Sequence, residues 1–217
     1  MIVWSPAMSA DAAERLKAAP AVQRVPTPKL DLYRRRDFLD PDECAAIIAH
    51  IDRNRQPSTI VDDYGGENNF RTSETSHFDG DDVLIDTINR RLSDFLGIDA
   101  VFGEPMQGQR YAAGQEFKAH TDYFDPGGAA MREIRATAGQ RTWTAMIYLN
   151  APDAGGATRF KVIRKSIQPQ TGTLLVWNNL KADGTVNSAT LHHGMKVRAG
   201  VKYIITKWFC ERPWSPA

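Results

Sequence analysis

The stretch QRYAAGQEFKAHTDYF, residues 109–124, joins two short β-forming runs through an Ala-Ala-Gly turn and ends in a histidine and an aspartate two positions apart. Similar runs of β-branched and aromatic residues, separated by Gly, Pro and Asp turns, fill the chain after Gly97. Many short strands of this kind are typical of a β-sandwich or a barrel. We predict strands at 107–112, 116–121, 142–150, 158–163, 172–177, 189–197 and 202–209, with two earlier ones near 30–38 and 60–72.

The residues before Gly97 favour helices. A short helix is predicted at 9–19, and a second one begins after Asp40, which together with Glu43 can form a capping box. A third is predicted over 82–96, where Gly97 suits the helix end. Apolar residues at helical spacing predict its buried face, namely Leu84, Ile88, Leu92 and Phe95. The whole pattern predicts a mainly β fold with supporting helices.

Composition limits the domain organisation and the partners. With 217 residues, 42% of them hydrophobic, the chain can bury a sizeable core. We expect an N-terminal extension with a short helix at 1–29 and a single domain at 30–217, with its chemical core at 105–210. The 27 basic and 26 acidic residues leave a net charge of +1, so we expect no nucleic acid and no membrane as a partner. Cys44 and Cys210 are far apart and no signal peptide is evident, so we expect a soluble, cytoplasmic protein with reduced thiols.

Metal-binding potential is concentrated in three His-x-Asp pairs: His50/Asp52, His77/Asp79 and His120/Asp122. The first pair lies in a predicted helix, where side chains at i and i+2 point about 200° apart and cannot share an ion. The second lies in a polar segment that is typical of a loop. The third ends a predicted strand, where side chains at i and i+2 project from the same side. Two histidines and one carboxylate form a common Fe(II) site with open positions.

The third metal ligand must come from a distant strand. His192 and His193 are both candidates, and only one can face the metal because neighbours on a strand point in opposite directions. Lys202 follows His192 by ten residues, with Gly200 as a turn between them. A hairpin there would bring His192 and Lys202 to one cavity, where a cation can pair with the far carboxylate of a dicarboxylic acid. Taken alone, Lys202 fits a solvated surface as well; the ordered spacing favours the cavity and His192.

These elements together resemble the prolyl 4-hydroxylase family of Fe(II)/2-oxoglutarate-dependent dioxygenases. The similarity covers about 30–208 and is carried by QRYAAGQEFKAHTDYF (109–124), QRTWTAMIYLNAPDAGGATRF (140–160) and LHHGMKVRAGVKYIITKW (191–208). The family order is a Tyr before His-x-Asp, then Gly-Gly-x-Thr, then a His followed by a Lys ten residues later and a Trp six residues after the Lys. All these elements occur here in that order.

The resemblance implies a double-stranded β-helix (jelly-roll) core with the N-terminal helices packed on one sheet. It implies that Fe(II) is bound by His120, Asp122 and His192. It places 2-oxoglutarate in a pocket formed by Tyr111, Thr158, Lys202 and Trp208. The implied reaction consumes O2, with ascorbate as a further expected reagent, and hydroxylates peptidyl proline while releasing succinate and CO2. Substrate contacts are expected from Arg71, Ser73, Glu104 and Arg141.

Departures from the family pattern leave the substrate open. Lys196 stands where the family commonly has Pro, Tyr203 replaces a frequent Trp, and Cys210 occupies a position that is basic or His in some members. The alternatives are the same chemistry on a free amino acid or a non-prolyl side chain, a cupin-like module that binds metal without oxidising a substrate, and a zinc hydrolase. The expected partner is a proline-containing peptide or protein, and a homodimer is a further expectation.

Overall fold

The computed structural model describes residues 6–59, 70–78, 82–134 and 137–214. The helices in these ranges are α1 (Pro6–Ala18), α2 (Pro41–Asn54), α3 (Val83–Leu96) and α4 (Ala129–Ile134), with short 3-10 turns at Ala100–Phe102 and Ser188–Thr190. The strands are β1 (Val22–Arg24), β2 (Leu32–Arg35), β3 (Gln56–Pro57), β4 (Glu74–His77), β5 (Gln107–Tyr111), β6 (Phe117–His120), β7 (Arg141–Tyr148), β8 (Ala154–Gly155), β9 (Thr158–Phe160), β10 (Lys165–Ile167), β11 (Thr173–Asn178), β12 (His192–Gly194), β13 (Val197–Ala199) and β14 (Lys202–Cys210).

Two antiparallel sheets form the core. The larger has the order β1-β2-β11-β7-β14-β5-β4-β3, the smaller has the order β10-β9-β12-β6, and β13 pairs with β8 beside them. Apolar side chains from both sheets, such as Tyr148 and Phe160, meet in one buried cluster between them. The predicted fold class, a mainly β jelly roll with supporting helices, is confirmed.

The helices cover the other face of the large sheet. Trp143, Ala145 and Ile147 alternate along β7 and pack into the same cluster as Ile47 of α2 and Ile88 of α3. The N-terminal helix α1 joins this cluster through Ala12, Ala13 and Leu16. The alternation of β7 therefore separates a helix-facing side from a side that faces the small sheet.

Local signals fixed the helix ends. The Asp40 side chain accepts a hydrogen bond from the Glu43 backbone, and Glu43 completes the capping box at the start of α2. Gly97 adopts φ +69°, the left-handed conformation that ends α3. Within the described residues, no helix combines the length and the apolar character needed to span a bilayer.

Several element predictions were wrong. The buried side of α3 consists of Ile85, Ile88, Leu92 and Leu96 together with Ser93, whereas Leu84 and Phe95 are only partly buried at its border. The single strand predicted at 189–197 is a 3-10 turn followed by two short strands, β12 and β13. The strand predicted at 158–163 ends at Phe160, and β10 was not predicted. Most of the strand predicted at 60–72 lies outside the described residues.

Candidate active site

Three of the predicted site residues converge at one end of the small sheet. His120 ends β6, Asp122 follows it in a bend, and His192 begins β12. Because β12 pairs with β6, His192 lies directly opposite His120. One potential ligand atom from each residue lies within 4.8 Å of the other two, and all three side chains are buried.

Backbone carbonyls orient both imidazoles. The Nδ1 atom of His120 lies 2.8 Å from the Lys118 carbonyl oxygen, and Nδ1 of His192 lies 3.0 Å from that of Thr190. A carbonyl can only accept, so each Nδ1 carries a proton and Nε2 is the ring nitrogen left for a metal. Burial, together with the neighbouring His192, lowers the pKa of His120 to about 3, which keeps this ring neutral. Both rings thus leave Nε2 for a metal ion, which binds the neutral form of imidazole.

The carboxylate of Asp122 completes the donor set. Burial alone would raise its pKa, but His192, His120, Arg141 and a hydrogen bond from Thr144 together hold the pKa below its ordinary value. The Asp122 Oδ1 atom lies 3.8 Å from Nε2 of His120. Two imidazoles and one carboxylate are the donor set that suits Fe(II).

Lys202 faces this cluster from the large sheet. Its side chain is 2% exposed, and its Nζ lies 5.2 Å from the centroid of the Tyr111 ring and 5.4 Å from that of Tyr148. Burial lowers its pKa to about 7, and no carboxylate in the described part of the chain pairs with it. A buried ammonium group without an acidic partner fits a carboxylate that arrives with a ligand.

The predicted hairpin between His192 and Lys202 was wrong. His192 lies on β12 of the small sheet, whereas the turn at Gly200 connects β13, which pairs with β8, to β14 of the large sheet. The two residues therefore face each other across the space between the sheets. Both still line one cavity between the two sheets, as the spacing predicted, and we call it the inner cavity.

The remaining predicted cosubstrate residues line the same inner cavity. The Tyr111 hydroxyl donates to Gln109 Oε1 at 3.0 Å, and the Tyr148 hydroxyl donates to Thr158 Oγ1 at 2.6 Å. Trp208 lies at the mouth of the cavity, which opens into an outer cleft of about 240 Å³.

Arg71 lies where the inner cavity meets the outer cleft and lines both. Its Nε donates to Ser73 Oγ at 3.1 Å, and its guanidinium carbon lies 4.9 Å from the centroid of the Phe117 ring. Ser73 is buried behind it. This arrangement leaves Arg71 as the residue of the pair that is directed at the cleft.

The other predicted substrate residues, Glu104 and Arg141, form one ion pair. The two Glu104 oxygens lie 2.5 and 2.7 Å from Nε and Nη2 of Arg141, and the guanidinium stacks 4.2 Å from the centroid of the Trp208 ring. Arg141 lines the outer cleft, whereas Glu104 is only 5% exposed and accepts from the Cys210 thiol as well. Glu104 therefore holds Arg141 in place at the cleft wall.

Replacing Glu104 with Ala is expected to destabilise the fold by about 3 kcal/mol, because it leaves the largely desolvated Arg141 cation, whose side chain is only 14% exposed, without its partner. Urea unfolding measures the loss. The control is Glu14→Gln, which breaks the exposed pair between Glu14 and Lys17 and should change stability little. A loss below about 1 kcal/mol for Glu104→Ala would show that Arg141 does not depend on this carboxylate.

Comparison with known proteins agrees with this geometry. The sequence profile of the 2OG-Fe(II) oxygenase superfamily matches residues 106–210. The "Probable prolyl 4-hydroxylase 10" of Arabidopsis thaliana is 30% identical over 205 residues, covering 83% of this chain and 68% of that protein. A solved structure of a viral collagen prolyl hydroxylase from Paramecium Bursaria Chlorella virus-1, in complex with 2OG, is 27% identical in sequence and superposes with a TM-score of 0.64. The match covers 82% of this chain and 95% of the viral chain.

The fold and the site thus define an oxygenase of the 2OG-Fe(II) class. Within this class, the chain belongs to the prolyl 4-hydroxylase family. It spans about two thirds of the length of the plant relatives, 66% of "Probable prolyl 4-hydroxylase 3" for example. It spans 37% of the human prolyl 4-hydroxylase subunit alpha-1, with 28% identity. The predicted family, the dioxygenase class and the Fe(II) and 2-oxoglutarate cofactors are confirmed.

The sequence analysis missed several polar residues around the site, among them Tyr148 and Thr144. Tyr148 packs over Lys202, and Thr144 donates to Asp122 Oδ2 at 2.8 Å. The available signal was the alternation of β7, in which Thr144 and Tyr148 share the side that faces the small sheet. Polar groups on that side of a buried strand indicate a site in the space between the sheets.

Proposed function

We propose that this protein hydroxylates proline residues in a peptide or protein, using Fe(II), 2-oxoglutarate and O2. The observation that carries the proposal is the convergence of His120, Asp122 and His192 opposite the buried Lys202, which pairs with no carboxylate among the described residues. A cupin-like module or a zinc hydrolase would have no use for such an ammonium group in the same cavity as the metal ligands. Membership in the prolyl 4-hydroxylase family supports proline as the target.

Each residue has a distinct part in this proposal. His120, Asp122 and His192 hold the ion, while Lys202 neutralises the far carboxylate of 2-oxoglutarate. When bound, the iron and the oxo acid together supply the oxidising power for attack on an unactivated C–H bond. The aromatic rings of Tyr111, Tyr148 and Trp208 exclude water from the inner cavity.

The outer cleft supplies the means to position the target. Arg71 and Arg141 place two guanidinium groups on its walls, each stacked on an aromatic ring. The N–H groups of a guanidinium suit the carbonyl oxygens of a peptide backbone. We therefore propose that these cations orient the peptide so that the target carbon faces the metal.

The test is a screen of proline-containing peptides with Fe(II), 2-oxoglutarate and ¹⁸O2. We expect a mass gain of one oxygen atom on proline, carrying the isotope, in a one-to-one ratio with succinate. Matched peptides with alanine in place of proline serve as the control. Turnover of the alanine peptides at the same rate would move the target away from proline.

The pH dependence of cosubstrate binding follows from Lys202. Its pKa in the free protein is lowered by burial to about 7, and the bound carboxylate stabilises the charged form, so binding raises this pKa. Below pH 7 the ammonium is already present and affinity should be constant. Above pH 7, binding must take up a proton, so the dissociation constant should rise up to about tenfold per pH unit.

Calorimetry of 2-oxoglutarate binding to the Mn(II)-loaded protein, in two buffers of different ionisation enthalpy, measures this proton uptake. We expect close to one proton at pH 8.5 and close to none at pH 6. Equal values at the two pH values would contradict an ammonium with a lowered pKa at the site.

Other features stay predictions. We propose that residues 30–217 form one catalytic domain, with residues 1–29 as an extension whose helix α1 packs on it. A cytoplasmic location is supported by Cys44 and Cys210, which are both buried and unpaired. The ascorbate requirement and a homodimer also stay predictions, as does the absence of nucleic acid and membrane partners.

A further inference from the structure

A chain of buried hydrogen bonds ends on the carboxylate of the predicted metal site. Thr144 Oγ1 lies 2.8 Å from Asp122 Oδ2, and Asn179 Nδ2 lies 2.9 Å from Thr144 Oγ1. Thr144 and Asn179 are both fully buried. Neither side chain touches the inner cavity or the outer cleft, so contact with a ligand does not explain them.

The number of available protons allows only one donor–acceptor direction along these hydrogen bonds. The ionised Asp122 carboxylate can only accept, so the Thr144 hydroxyl must give it its one proton. The Thr144 oxygen must then accept from Asn179, which requires the amide nitrogen and not the amide oxygen at that position. Rotating the amide would place two oxygens together without a proton between them.

Backbone contacts fix Asn179 in turn. It follows β11 directly, its backbone N–H donates to the Thr142 carbonyl at 2.7 Å, and its carbonyl accepts from the Asn187 N–H at 2.8 Å. Thr144 lies on β7, which pairs with β11 and β14 in the middle of the large sheet. The side chains of Asn179 and Thr144 therefore connect the large sheet to the Asp122 carboxylate.

We infer that Thr144, oriented by Asn179, is a positioning residue that makes Asp122 a one-oxygen metal ligand. Because Thr144 occupies Oδ2, the oxygen left for the ion is Oδ1, which lies 3.8 Å from Nε2 of His120. A carboxylate that binds through one oxygen takes one coordination position instead of two. The idea that the spared position is used by 2-oxoglutarate rests on the proposed function. The expected effect on metal binding does not depend on it.

The test compares metal binding by Thr144→Val, which keeps the shape and removes the hydroxyl, with that of the wild type. We expect the dissociation constant for Co(II) to rise about 10- to 100-fold, as is usual when a partner of a metal ligand is lost. The visible spectrum of bound Co(II) should also change, because Asp122 can then bind through both oxygens. Thr144→Ser should restore the wild-type affinity and spectrum. Asn179→Ala should weaken Co(II) binding and change the spectrum in the same way as Thr144→Val.

Thr142→Val is the matched control. Thr142 is also fully buried on β7, but its hydroxyl donates to the Phe209 carbonyl at 2.9 Å and not to Asp122. It should bind Co(II) with the wild-type affinity and spectrum. An unchanged affinity and spectrum for Thr144→Val, or an equal loss in Thr142→Val, overturns the inference. A wild-type protein that binds Co(II) but hydroxylates no peptide would refute the proposed function alone.

Discussion

Replacing Lys202 with methionine is expected to raise the dissociation constant for 2-oxoglutarate by at least about 30-fold. Losing one partner of a desolvated charge pair costs about 2 to 5 kcal/mol, and about 2 kcal/mol already corresponds to about 30-fold. Methionine is close to lysine in length and fills the space below Tyr111 and Tyr148. The dissociation constant is measured by calorimetry on the Mn(II)-loaded protein.

The same strand supplies the control. Lys207 is also buried on β14, and burial lowers its pKa to about 8, but it packs against Gly103 on the helix side of the sheet. Lys207→Met should therefore leave 2-oxoglutarate affinity unchanged. An equal loss in both variants would mean that the effect is not specific to the inner cavity.

Stability should respond to Lys202→Met in the opposite direction from binding. In the ligand-free protein this ammonium group is desolvated and has no acidic partner among the described residues. Replacing it with an apolar chain removes that cost, so we expect urea stability to be unchanged or higher. Weaker binding together with undiminished stability separates a binding role from a structural one.

Replacing Asp122 with alanine is expected to lower Fe(II) affinity by more than about 100-fold, since losing a ligand exceeds the loss of a residue that only supports one. Succinate formation in the presence of peptide should stop. Equilibrium dialysis under argon gives the metal affinity, and mass spectrometry gives the succinate.

Two residues that the sequence also offers as metal ligands, but that lie outside the site, serve as controls. Asp52→Ala changes the His-x-Asp pair of α2, whose carboxylate bonds to the Tyr203 hydroxyl away from the site. His193→Ala changes the neighbour of His192, and His193 pairs with Glu116 at 2.9 Å. Both variants should keep Fe(II) affinity close to that of the wild type, whereas His192→Ala should lose it. Strong loss in either control would contradict the ligand assignment.

Local sequence signals predicted the parts of the structure that local interactions determine. The capping box at Asp40 and the left-handed Gly97 set helix ends through contacts within a few residues. The placement of His120 at the end of a strand was equally readable, since it depends on a short run of β-forming residues before a bend.

The predictions that were wrong concern contacts between residues that are distant in sequence. The segment around His192 was predicted as part of a hairpin with Lys202, yet β12 has only three residues and takes both its partners, β6 and β9, from earlier in the chain. Strands this short carry too little pattern to specify their neighbours. The hydrogen bond between Thr144 and Asn179 was missed for the same reason, because 35 residues separate them and no motif connects them.

The central claim is that one cavity binds Fe(II) and 2-oxoglutarate together. An anaerobic titration tests it directly, with Fe(II) and 2-oxoglutarate added separately and then jointly while the visible spectrum is recorded. We predict a metal-to-ligand charge-transfer band that appears only when both are present, in a one-to-one ratio with protein, and that is lost in Asp122→Ala. Binding of both components without such a band would mean that they occupy separate sites, which contradicts the account.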